Sequence, residues 1–125
     1  MSDSTLLMIA ALLTFGVGIA HSFLGEKYLL TRLFRRPDLP KLAGSATFAV
    51  RTLRFAWHIT TVAWWGFAAM LVLAARDALS RDNALVALAF TMIVTAAMIL
   101  IASRGKHLAW PVFAAIAAAA FWAAR

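Results

Sequence analysis

A chain of 125 residues that is 64% hydrophobic, with a mean hydropathy of +0.86, carries far more apolar surface than a water-soluble domain of its size buries. Its net charge of +7 and pI near 11.5 would suggest nucleic acid in a soluble protein, but here the basic residues flank apolar stretches where they meet lipid head groups, so nucleic acid is not an expected partner. The absence of cysteine excludes disulfides, thiolate metal sites, CxxC redox chemistry and palmitoylation.

Residues 5–24, 55–75, 84–102 and 108–124 contain no Lys, Arg, Asp or Glu. Each is close to the roughly 17–25 residues that cross about 30 Å of hydrocarbon. The expected fold is all-α, a single-domain four-helix up-down bundle integral to a membrane. Met1-Ser2-Asp3-Ser4 places an acid where a signal peptide carries Lys or Arg, so the first helix is expected to be retained. Gly25 reads as its stop.

The basic connection 25–54 is the only long one, and Pro37 and Pro40 divide it. Before the break, Tyr28, Leu29, Leu30, Leu33 and Phe34 interleave with Lys27, Arg32, Arg35 and Arg36, as in a short amphipathic segment on an anionic lipid surface. After it, Gly44-Ser45 offers an N-cap, so the second helix is expected to start near Ala46. The remaining connections, 76–83 and 103–107, are short and force antiparallel neighbours. The alanine run 114–120 would let a neighbouring backbone approach closely.

Lys27, Arg32, Arg35, Arg36, Lys41, Arg51, Arg54, Arg104 and Lys106 fall on one side of this arrangement, against Arg76, Arg81 and Arg125 on the other. The positive-inside rule puts the larger group in the cytoplasm and both termini outside. Composition rich in alanine and arginine suggests a GC-rich genome and a bacterial inner membrane.

In this topology His21, His58 and His107 share one membrane level, with Glu26, Arg51, Arg54, Ser22 and Ser103 in reach. Small or polar residues recur at helical spacing as Thr14, Gly18, His21 and Gly25, then as Thr47, Arg51, Arg54, His58, Thr61 and Trp65. The third helix carries Thr91, Thr95, Met98 and Ala102, and the fourth His107, Pro111, Ala114 and Ala118. Such stripes face other helices.

Two readings compete for the histidines. In one they are hydrogen-bonding residues of the bundle. In the other they are ligands: His21, His58 and His107 could hold haem with Arg51 and Arg54 on its propionates, or a divalent metal together with Glu26. His58 and His107 sit near helix N-termini, which disfavours their charged forms, whereas His21 sits near a C-terminus and can pair with Glu26. No local ligand pair such as HExxH supports the metal. Ser22 adjoins His21, but neighbouring helical side chains point about 100° apart, which argues against a nucleophile and its base. Trp57, Trp110 and Trp122 fit interfacial belts, while Trp64 and Trp65, near mid-helix, suit packing inside the bundle.

Three functions therefore stay open: a non-catalytic membrane subunit or assembly factor with a membrane or cytoplasmic partner, a haem- or metal-binding redox protein, and a small oligomeric transporter or channel. The third is weakened by the lack of a carboxylate at the membrane centre.

Overall fold

The computed structural model describes residues 2–125 and is helical throughout apart from its connections. Four helices follow in order: α1 (Asp3–Leu33), α2 (Ala46–Ala75), α3 (Arg81–Ser103) and α4 (Ala109–Ala123). The first three are long and apolar enough to cross a membrane.

Helix α1 starts where Ser2 caps it, its Oγ accepting from the Thr5 amide, with Asp3 in the first turn favoured by the helix dipole. The stop expected at Gly25 does not occur. Gly25 keeps helical angles (φ −61°, ψ −48°), and the helix widens into a π segment over Gly25–Leu30 before a last α turn. The Gly25 amide still reaches the His21 and Ser22 carbonyls, and the His21 carbonyl accepts in addition from the Trp57 indole N–H at 3.1 Å, so α2 packs directly against this part of α1. The expected surface segment after residue 25 is accordingly part of α1, and the basic connection begins only beyond Leu33.

That connection turns on Arg36 and Asp38, joined across Pro37 by two hydrogen bonds of 3.0 and 2.8 Å. The Arg36 guanidinium holds the Asp38 carboxyl below its ordinary range, and Asp38 raises Arg36 in turn. Ala43 and Gly44 both have positive φ (48° and 77°), the pattern of a type I′ turn, and the backbones of Leu42 and Ser45 bond across it. The turn delivers Ser45 as the α2 cap, its Oγ accepting from the Phe48 amide at 3.1 Å, so α2 begins at Ala46 as its sequence suggests. Ser45→Ala is expected to cost about 1 kcal/mol, read as a lower unfolding midpoint in mild detergent. An unchanged midpoint would show that the cap does not set the start of α2.

Helix α3 is capped by Ser80 and ends in a left-handed Arg104-Gly105 pair, with the Gly105 amide returning to the Leu100 carbonyl at 2.8 Å. The fourth stretch is helical only over 15 residues, about 22 Å at 1.5 Å per residue, short of the roughly 30 Å expected of a span. Even so, its C-terminal end reaches the start of α3, where Arg81 donates to the Ala123 carbonyl at 2.9 Å.

Each helix packs antiparallel on the next, α1 on α2, α2 on α3 and α3 on α4, and among the described residues no interface of similar extent joins α1 to α4. The result is an open row, where the short connections alone would equally allow a closed bundle. Small residues set the spacing. A Cβ on Gly66 would lie 2.5 Å from Thr91 Oγ1, and one on Gly18 would lie 2.7 Å from the Trp65 indole nitrogen. Ala117 and Ala120 are buried, in keeping with the close approach expected of the alanine run. The outer faces carry Leu12, Phe67, Phe90, Ile101 and Trp122, all more than 60% exposed, a surface suited to hydrocarbon rather than water.

Candidate functional site

The polar side chains of the helices gather between the C-terminal third of α1 and the first half of α2. His21 lies flat on Trp57, with ring centroids 4.3 Å apart and planes 4° from parallel, and it also touches Trp64. Its Nε2 sits 3.3 Å from the Trp57 carbonyl, while the Trp57 indole donates to the carbonyl of His21. Each residue thus bonds the other's backbone, a reciprocal clasp between two helices.

One residue along each helix, Ser22 Oγ lies 2.8 Å from His58 Nδ1 and 2.7 Å from Thr61 Oγ1, and Thr61 donates to the Gly18 carbonyl at 3.1 Å. On the far side of the imidazole, His58 Nε2 meets Glu26 Oε2 at 3.2 Å, and the other Glu26 oxygen takes Arg54 at 3.1 Å. Arg54 stacks over Phe34 at 5.0 Å. Lower in the interface, the Trp65 indole donates to the Phe15 carbonyl at 3.2 Å.

The direction of each bond follows from the number of protons. Thr61 has one hydroxyl hydrogen and gives it to a carbonyl, so Ser22 must donate to Thr61, and His58 Nδ1–H must donate to Ser22. The outer nitrogen, Nε2, faces the Glu26 carboxyl, so the imidazole bridges Ser22 and Glu26.

Ser22, His58 and Glu26 are the residue types of a nucleophile, base and acid, but here the imidazole donates to the serine, and the serine proton points to Thr61. The pairing of Ser22 with His58 was hidden in the sequence because Ser22 adjoins a different histidine. The spacing of Gly18 with Ser22 on α1, and of His58 with Thr61 and Trp65 on α2, is the signal that could have revealed it.

His107 stands apart. It packs edge-on against Phe55 at 5.1 Å and near Phe48, and its Nδ1 accepts from the Ala109 amide at the start of α4. The physical reason is helical arithmetic. Trp57 and Trp64 lie on one face of α2 and Phe48 and Phe55 on another, about 200° around at 100° per residue. His21 and His58 both lie in the α1–α2 interface, while His107 packs at a similar level on another face of α2. Among the described residues no three His, Asp or Glu side chains assemble as metal ligands, so His21, His58, His107 and Glu26 do not form the expected joint site. Arg54 is engaged by Glu26, and Arg51 makes no ion pair among the described residues.

Comparison with protein-family models, curated proteins and solved structures returns no match. The role of the site is therefore read from its own geometry.

Proposed function

We propose that the chain is a small integral membrane protein of the bacterial inner membrane that works as a non-catalytic subunit or partner-binding factor. The basic end of its helices faces the cytoplasm and both termini face the other side. Three helices long and apolar enough to cross a membrane, and the concentration of Lys and Arg at one end, support this reading. Helix α4 crosses as well, the bilayer thinning locally around it, because its last residues reach the level of Arg81.

The observation that carries the non-catalytic reading is the engagement of His58. Both of its nitrogens are bonded within the protein, and His21 gives its Nε2 to a backbone carbonyl. To accept haem iron or a metal, His58 would have to give up Ser22 or Glu26 and open the α1–α2 interface. The polar seam is a clamp between helices, and in hydrocarbon such bonds also fix which helices pair.

Protein purified in mild detergent is expected to be colourless and free of stoichiometric metal by absorption spectroscopy and elemental analysis. A Soret band, or a stoichiometric metal lost on His58→Ala, would overturn the proposal in favour of a cofactor site.

A further inference from the structure

A groove of about 400 Å³ opens between the end of α1, the Arg36–Leu39 turn and the first turns of α2. Thr47, Val50, Arg51 and Arg54 line one wall at helical spacing, and Phe34 and Arg36 stand opposite. Its floor mixes guanidinium groups with aromatic and aliphatic carbon, and it is the meeting point of two kinds of surface.

The charges around it are unequal in what they already hold. Asp38 balances Arg36, and Glu26 balances Arg54 while also facing His58. Arg51 pairs with no carboxylate among the described residues. The start of α2 adds the positive end of a 30-residue helix dipole, with its first amides pointing along the axis. The groove therefore has one unbalanced guanidinium and a second, Arg54, fixed beside it by the Phe34 ring.

Its depth is set by the same helix. The charge-free part of α2 begins at Phe55, so Ala46–Arg54, about 13 Å of helix, extends beyond the hydrocarbon into the head-group layer. We propose that this groove binds the phosphate of an anionic lipid, with Arg51 and Arg54 on the phosphate oxygens and the glycerol and upper acyl carbons along Phe34 and Val50. The assignment rests on the membrane reading given above. It replaces a diffuse attraction of the basic connection for anionic lipid with one site and named contacts.

The test uses the full chain in mild detergent, with native mass spectrometry counting retained lipid when phosphatidylglycerol or phosphatidylcholine is added. Wild type is expected to retain phosphatidylglycerol in preference, and Arg51→Gln to lose about tenfold of that preference, the scale of one charge-assisted hydrogen bond. Thr47→Glu supplies a second variant. An acid in the first turn suits the helix, so the fold is retained, while its carboxylate meets the phosphate and should abolish the preference. Arg125→Gln, at the opposite end of the molecule, should leave it intact. Equal retention of both lipids by wild type would refute the groove while leaving the membrane reading in place. An equal loss in Arg125→Gln would show diffuse charge and no site. Inorganic phosphate that competes the lipid away at equal concentration would make the groove a free-phosphate site and overturn the lipid assignment.

Discussion

Gly25→Ala is expected to lower stability by about 1–3 kcal/mol, the range for forcing an extra methyl group into a packed interface. The added Cβ would overlap the five-membered edge and the ring beyond it of the Trp57 indole. The indole has little room to withdraw, because it donates to the His21 carbonyl on one side and lies flat against the His21 ring. The position is fully helical, so alanine carries no backbone strain and would normally favour the helix. A loss of stability would therefore report the close approach of Trp57 alone. The check is the unfolding midpoint in mild detergent, with Gly16→Ala as the comparison, since nothing lies within 4 Å of a Cβ there. Equal midpoints for the two variants would mean that α1 and α2 do not meet as described.

Glu26→Ala is expected to cost about 1–2 kcal/mol, toward the lower part of the range for charge-assisted bonds. Glu26 joins Arg54 and His58, but its side chain is 38% exposed and that of Arg54 46%, so solvent screens part of the pairing. Glu26→Gln should fall between the two, because its carbonyl oxygen can still accept from His58 while the ion pair with Arg54 is lost. Denaturation by detergent titration measures the difference. No loss in Glu26→Ala would mean that the outer half of the seam contributes nothing to holding α1 against α2.

Much of the fold is legible in the sequence. Charge-free stretches of the right length locate all four helices, and Ser45 before Ala46 marks the α2 start because a serine cap acts through local backbone bonds. The end of α1 is not legible. Gly25 has the composition of a stop, yet its use is decided by Trp57, a residue 32 positions away, and no local rule includes that contact. The length of α4 is likewise lost at its start, where the chain spends residues 104–108 leaving α3 in a left-handed turn.

For the site, position along each helix follows from the sequence, whereas the direction around it does not. An antiparallel order of helices brings His21, His58 and His107 toward one end, because His21 lies toward the C-terminal end of its helix and His58 and His107 toward the N-terminal ends of theirs. Which of them meet depends on how α1 and α4 are arranged around α2, and the open row of helices puts α1 on the face of Trp57 while His107 takes the face of Phe55. Ser22 shows the same limit at shorter range. Its neighbour in sequence is His21, but its partner in space is His58.

The histidines serve separate contacts, with His58 tied to Glu26 in a clamp. A pair of double-mutant cycles tests it most directly, one combining His58→Ala with Glu26→Ala and the other combining His58→Ala with His107→Ala, each read as unfolding free energy in detergent. A coupling of about 0.5 kcal/mol or more in the first cycle, with additivity within about 0.3–0.5 kcal/mol in the second, is the predicted result. Coupling between His58 and His107 as large as that between His58 and Glu26 would contradict it, and would mean that the histidines act together at one site.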